Sequence, residues 1–416
     1  MFDESKKNAN SYGELAVELL SEISKIYWSK MFHYIKDNNI DINNVNCFII
    51  DPESIILYFS KEYLAIEYCG NPFSKVIQPK SQKVITLNDW TKENITTQQF
   101  MEKIIGFQFD GSSGVVYPLI SDLYEDLVLP TNAGMEKLID LKWNFAAQNH
   151  SIGFNADGID IVGNQFVRLI NCTFFDCKNN DLKTRTIKWM DFLPLKYDDT
   201  LEGEYDELKF NFSEYSSNWL RDMFYQYPEP VDYKYDKLPK MNHFIELFGD
   251  STNSETDITS FLEQDENKFI MTMAFQGIRS VGQVECKWQS ENRPNIKPDF
   301  FVLKANGYAD IVEFKLPNIK HGAIVGRNNR ENFSSEINSY IAQTRVYQQY
   351  FDDPNNQMWC EKEHDIKAYK PRRYLVVGRR SDFEAEVWME IKAQYQDLEI
   401  ITYDDLVDTV VAQFYQ

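Results

Sequence analysis

The sequence predicts two folded parts: an α+β region at the N-terminus and, after residue 250, an α/β domain in which helices flank a mixed sheet. Three observations support this reading. The chain has 416 residues, more than one hydrophobic core usually organises, and 43% of them are apolar, enough to build such cores. The stretch YQYPEPVDYKYDKLPK, about 225–240, is rich in proline and charge and shows no period, which marks a boundary. Beyond it, runs of strand and helix character alternate in the order α-β-β-β-α-β-α-β, the pattern of a sheet covered by helices. The expected organisation is an N-terminal domain over 1–225, a linker over 226–250 and the second domain over 251–416.

In the N-terminal part, Leu15, Leu19, Ile23, Ile26, Tyr27 and Phe32 recur at helical spacing between Tyr12 and Ile35. NCFII and SIILYF then read as strands, and GIDIVGNQFVRLINCTFF, 158–175, reads as a β-hairpin around a Gly-Asn turn. FDGSSG at 109–114 lacks the G-x-x-x-x-G-K-[ST] pattern of a phosphate loop and reads as a turn, so no nucleotide cofactor is expected.

The second part is more explicit. SETDITSFLEQDENKFI predicts a helix with Ser254 as N-cap and Ile258, Phe261 and Leu262 as its buried stripe. SVGQVECKW predicts a strand, and KPDFFVLKANGYADIVEFKLP, 297–317, a hairpin. NFSSEINSYIAQTRVYQQYF is expected to be helical, RRYLVVG a short buried strand and DFEAEVWMEIKAQY a helix. LEIITYDDL predicts a strand entering a last helix.

Composition excludes several functions. The net charge is −21, so the surface as a whole does not attract phosphate backbones, and any nucleic-acid role needs a local basic surface or metal ions. Lys315 to Arg380 is such an exception, with twelve basic residues against seven acidic. No apolar run approaches the ~18–20 residues of a membrane span, and the start lacks a signal-peptide pattern. The six cysteines are scattered, and Cys172 and Cys177 do not have zinc-site spacing. A cytoplasmic protein with reduced thiols, away from membranes, is the expectation.

The hairpin raises a question of charge. Asp299, Glu313 and Lys315 interrupt apolar runs, and buried charges are costly unless paired or bound to metal. Glu313 and Lys315 share one strand face while Phe314 points to the other. A three-residue connection at Ala305–Gly307 places Asp299 opposite Glu313, whereas a two-residue Asn306-Gly307 turn shifts the register and sends Asp299 to the wrong face. Two carboxylates converging with a lysine suit Mg²⁺, with Mn²⁺ able to substitute. Such an ion lowers the pKa of a bound water, and Lys315 is suited to orient that water or stabilise developing charge. The tripeptide alone is common by composition. The informative feature is its conjunction with a Pro-Asp strand and a downstream helix carrying Gln343-x-x-x-Tyr347.

In this combination PDFFV…DIVEFKLP, SYIAQTRVYQQY and PRRYLVVGRR…LEIITYDDL resemble the PD-(D/E)xK nuclease superfamily, and more narrowly the nuclease domain of Shedu-type anti-phage defence proteins. The resemblance covers about 250–416 and does not extend to the N-terminal part. It implies Asp299 and Glu313 as metal-binding carboxylates, Lys315 as the catalytic lysine, Glu255 as the first-helix acid that completes the metal site and Gln343 as a supporting residue; Asp257 lies close to Glu255. It also implies a homo-oligomer, a homotetramer, that cuts double-stranded phage DNA.

Several residues keep two readings. Glu336 lies on the same helix as Gln343, where it either reaches the site or decorates a solvated surface; Tyr347 reads as core and His321 as a loop residue. Lys320, Arg327 and Arg330, in the loop after the hairpin, and Arg372, Arg373, Arg379 and Arg380, around the buried strand, are candidate phosphate contacts. The acidic N-terminal half suits a sensor, clamp or brake. A non-cleaving nucleic-acid-binding or assembly module, or a nuclease acting on RNA, remains the alternative.

Overall fold

In the computed structural model the described residues are 12–77, 83–108, 116–147, 151–152, 158–198, 207–210, 212–227, 233–320, 322–326 and 330–415. The expectations for FDGSSG, His321 and Arg327 fall outside them. The chain divides into two mixed α/β units, Met1–Leu138 with Asn149–Pro230 and Ile139–Gln148 with Val231–Gln416. No helix among the described residues is long and apolar enough to cross a membrane.

The N-terminal unit is organised by a long antiparallel hairpin of Val167–Lys178 and Asp181–Asp198. Its two-residue turn is Asn179-Asn180, at φ 54° and 68°, the positive-φ turn that matches strand twist and that asparagine tolerates. The second strand pairs with Tyr63–Cys69, which pairs with Ser54–Phe59. The expected first helix runs from Tyr12 to Ile23, passes through a π-helical turn at Ser24–Trp28 and resumes over Ser29–Asp37.

Two expectations are corrected here. NCFII is helical over Cys47–Ile50, with the Asn46 side chain accepting from the Ile49 amide; a short apolar run buried on all sides carries no period to separate helix from strand. The 158–175 stretch is not a hairpin. Gly158–Ile161 pairs in parallel with Val116–Leu119, because Val167–Lys178 already has Asp181–Asp198 on one edge and Leu123–Glu125 and Leu127–Pro130 on the other.

A fully buried ion network ties the helices of this unit to its sheet. Arg168 donates to Asp191 at 3.0 Å and to Asp222 at 2.7 Å; Tyr27 donates to Asp222 and Tyr215 to Asp191, each at 2.8 Å. Burial and the neighbouring carboxylates hold both tyrosine hydroxyls protonated, well above their ordinary pKa.

In the C-terminal unit the helices are α1 (Tyr233–Gly249), α2 (Glu255–Glu263), α3 (Lys268–Ala274), α4 (Ser335–Asp352), α5 (Pro354–His364), α6 (Ala385–Lys392) and α7 (Tyr403–Ala412). The strands of its main sheet are β1 (Arg279–Gly282), β2 (Phe300–Leu303), β3 (Ala309–Phe314), β4 (Arg373–Val376) and β5 (Leu398–Ile401). They form one sheet in the order β1-β2-β3-β4-β5, antiparallel through β3 and parallel from β3 to β5. One face packs Phe301 and Ile311 against Tyr347, Tyr350 and Phe351 of α4. On the other, Phe314 meets Tyr403 of α7, which in turn meets Phe248 of α1.

The stretch expected to be a linker is therefore mostly helix. Leu238, Met241, Ile245 and Phe248 are buried at helical spacing, a period that the proline and charge at its N-terminal end obscure. Residues 139–148, far away in sequence, also belong to this unit. The Asn144 amide donates to Asn242 at 2.7 Å, Asn242 returns a bond to the Asn144 carbonyl at 2.9 Å, and the Trp143 indole donates to Glu246 at 3.0 Å.

Removing one partner of a buried ion pair leaves an uncompensated charge. Arg168→Ala strands two buried carboxylates and is expected to cost about 3–5 kcal/mol, read as a loss of denaturant midpoint. A change of a few tenths would contradict the network's role.

Candidate metal centre

The β2–β3 pairing runs from Phe300↔Val312 to Leu303↔Ala309, so it is centred on Asn306, and position 299 falls opposite 313. The Lys304 amide donates to the Tyr308 carbonyl at 2.8 Å and the Gly307 amide to the Lys304 carbonyl at 2.9 Å. That leaves Ala305–Gly307 as the connection, with Gly307 at φ 83°, a conformation glycine adopts without strain. The odd-length loop required by the sequence argument is present.

The strand ends are then fixed by their own amides. The Phe314 amide donates to Asp299 Oδ2 at 2.8 Å, and the Asp299 amide to Glu313 Oε2 at 3.4 Å. Phe314 is buried on the opposite face against Phe300, so the alternation that buries it turns Glu313 and Lys315 to the site. Tyr403 donates to the Lys315 carbonyl at 2.8 Å, holding the backbone just past the strand.

Two helices complete the cluster. At the start of α2, Ser254 and Asp257 form a reciprocal capping box, with the Asp257 amide donating to Ser254 Oγ at 3.2 Å and the Ser254 amide to Asp257 Oδ2 at 2.8 Å. Asp257 is thereby used as a cap and Glu255 is the acid presented to the centre. Lys315 Nζ donates to Glu255 Oε1 and to Glu313 Oε1, both at 2.9 Å. One oxygen each from Glu255, Asp299 and Glu313 lies within 4.8 Å of the others. From α4, Gln343 Nε2 lies 2.6 Å from Glu313 Oε1 and 2.8 Å from the Tyr347 hydroxyl. Tyr347 is buried, as expected of a core residue, yet its hydroxyl belongs to this network. Glu336 accepts from Tyr340 at 3.0 Å, and the Tyr340 ring lies 5.7 Å from Lys315 Nζ.

Gln283, just past β1, is the residue sequence reasoning missed. Its side-chain amide lies 3.5 Å from Asp299 Oδ1. A lone glutamine in an apolar strand gave no signal.

The electrostatics are unbalanced. Burial and the Glu313 charge push Asp299 up to about 7, and burial raises Glu313 in spite of Lys315. For Lys315, burial works against the charged form, but Glu313 and Glu255 outweigh it and its pKa is raised. With all three carboxylates ionised against one ammonium the cluster carries a formal excess of two negative charges, and the raised Asp299 shows the cost of that crowding. An all-oxygen donor set with that excess fits a hard divalent cation such as Mg²⁺.

The basic candidates divide sharply. Lys320 and Arg330 are exposed. Arg372 pairs with Glu399 at 2.8 Å. Arg373 is only 7% exposed, donates to Thr344 at 3.1 Å and has its pKa lowered by burial. Arg379 holds Asp404 through two bonds of 2.8 and 2.7 Å; Arg380 reaches Asp405 at 2.6 Å and Asp408 at 2.8 Å. Arg372, Arg379 and Arg380, candidate phosphate contacts in the sequence, thus meet acids of β5 and α7, and Arg373 meets α4.

Since folding raises the Asp299 pKa from 3.8 to about 7, its ionisation costs the folded state increasingly as pH rises through that window. In EDTA, Asp299→Asn is expected to stabilise the protein on the order of 1–2 kcal/mol at pH 8, with the advantage fading towards pH 4. Thermal melts across that range read it, and a variant no more stable at pH 8 would contradict the repulsion.

Residues 252–407 match the model of the family described as Shedu protein SduA, C-terminal, most of the C-terminal unit although less than half of the chain. No curated protein matches the chain. The domain that holds the carboxylate cluster is accordingly similar to the C-terminal domain of Shedu proteins.

Proposed function

We propose that the C-terminal unit is a metal-dependent nuclease of the PD-(D/E)xK superfamily that hydrolyses phosphodiester bonds of double-stranded DNA, and that the protein acts in anti-phage defence. The defence role follows the Shedu family; the chemistry rests on the site. The observation that carries it is the convergence of three carboxylates on one lysine, crowded enough to push Asp299 up to about 7, a repulsion that a bound cation would relieve. A purely structural triad would be expected to neutralise itself, since uncompensated buried charge is destabilising.

Asp299 and Glu313 would hold the ion and Glu255 would complete its shell. A bound Mg²⁺ or Mn²⁺ would neutralise charge on the scissile phosphate and make a bound water more acidic. Lys315 has three N–H donors, of which two go to Glu255 and Glu313. The third is available for the attacking water or a phosphate oxygen. Gln343 and Tyr347 fix the Glu313 carboxylate, so that it meets the ion in one orientation. Lys320 and Arg330, with Arg327 from the same loop, supply backbone contacts. Cytoplasmic location, assembly as a homotetramer and a sensing or restraining role for the N-terminal unit complete the proposal.

The decisive experiment incubates the purified protein with linear and supercoiled DNA, and with RNA, in Mg²⁺. Cleavage of DNA is expected, abolished by EDTA and reduced at least ~100-fold in Lys315→Ala. Cutting confined to RNA would replace the substrate. A second readout covers an enzyme that needs a trigger: Mg²⁺ or Mn²⁺ should raise the Tm, and Asp299→Ala should remove that shift. Neither cleavage nor metal-dependent stabilisation would leave a binding or assembly module instead.

A further inference from the structure

We infer that the cleft along the outer edge of β1 carries the DNA backbone towards the metal centre, with Lys268 and Arg279 contacting flanking phosphates and Gln283 positioning Asp299. This rests on the nuclease reading above and assigns it a substrate path. The cleft has a volume of about 620 Å³ and is lined by Glu263, Lys268 and residues 279–283. β1 is the terminal strand of its sheet, so no neighbouring strand of that sheet covers this side.

One end of the cleft meets the centre directly. Gln283 is a non-glycine residue at φ 55°, a conformation that costs of order 1 kcal/mol and persists only where surroundings enforce it. Here its backbone amide donates to the Asp299 carbonyl at 2.9 Å while its side-chain amide lies 3.5 Å from Asp299 Oδ1. The left-handed turn therefore aims the side chain at a carboxylate whose orientation the centre needs.

Further along, the cleft is lined by Lys268 and Arg279. It offers two cations and one acid, Glu263, in a protein of net charge −21. Lys268 is paired with Asp265 at 2.6 Å and Arg279 with Asp365 at 3.6 Å, but those carboxylates are 95% and 91% exposed. Pairs in open water contribute about 0–1 kcal/mol, so both cations can exchange their partner for a phosphate. The buried Arg373 and the nearly buried Arg379 have no such freedom. Arg279 stands four residues from Gln283, ~13 Å along an extended strand, comparable to about four base steps of duplex rise. That separation puts its contact on a flanking phosphate and not on the scissile one.

The test uses the full chain with a duplex oligonucleotide, binding measured in Ca²⁺ and cleavage in Mg²⁺. Each phosphate contact contributes about 0.9 to the slope of log K against log salt. The double variant Lys268→Ala/Arg279→Ala should flatten that slope by nearly two and raise KM ~10-fold with kcat little changed, while Lys268→Arg/Arg279→Lys should keep the slope. Gln283→Asn tolerates the left-handed backbone but is one methylene too short; it should lower kcat ~10-fold with KM and salt slope unaltered. A wild type that cuts DNA beside a double variant of unchanged slope and KM overturns the cleft and leaves the nuclease reading standing. A wild type that binds without cutting and gains no Tm from Mg²⁺, with the slope flattened in the double variant, keeps the cleft and removes the nuclease. Absence of binding overturns both.

Discussion

Asn306 is the pivot of the C-terminal unit. Because β2 and β3 pair symmetrically about it, Asp299 and Glu313 arrive on one face at the same level, and each strand end can donate an amide to the other's carboxylate. A shift of one residue in either strand would turn every side chain over, moving Phe301 and Ile311 out of the core as well as Asp299 out of the centre. Core and centre therefore select the same register. The loop that sets it is three residues long and needs one left-handed position, which Gly307 supplies.

Around that register the unit separates the groups that stabilise from the groups that act. On the face towards α7, Phe314, Tyr403 and Phe248 form an aromatic cluster. One residue away on either side of Phe314, Glu313 and Lys315 carry charge into a nearly dry site. The cost of crowding carboxylates is thus offset by apolar burial on the opposite face of the same few residues. Local strain at functional positions is usually maintained this way, by surroundings that over-determine it. Gln283 is a second case, a left-handed residue held by the strand it faces.

How much of this was legible in the sequence depended on whether the signal was local. The hairpin, the Ser254 cap and the helix bearing Gln343 were readable because alternation, capping and helical period are properties of short stretches. The register could even be stated arithmetically. What stayed hidden were relations between distant segments. Arg379 and Arg380 looked available for phosphate because nothing near them shows that Asp404, Asp405 and Asp408 fold back onto them. Gly158–Ile161 looked like half of a hairpin because the occupied edges of Val167–Lys178 are contributed by strands elsewhere. The Arg168 network was equally invisible, since its members span residues 27 to 222.

Residues 139–148 give the C-terminal unit an unusual birth order. Lys142 binds Asp408 across 266 positions of sequence, and Asn144 exchanges bonds with an α1 residue 98 positions later. During synthesis this short strap leaves the ribosome well before the helices that receive it, and must be kept exposed until they appear. Contacts of such long range are slow to close. A chain begun at α1 would lack a piece of its own domain, the segment that meets α1 and α7.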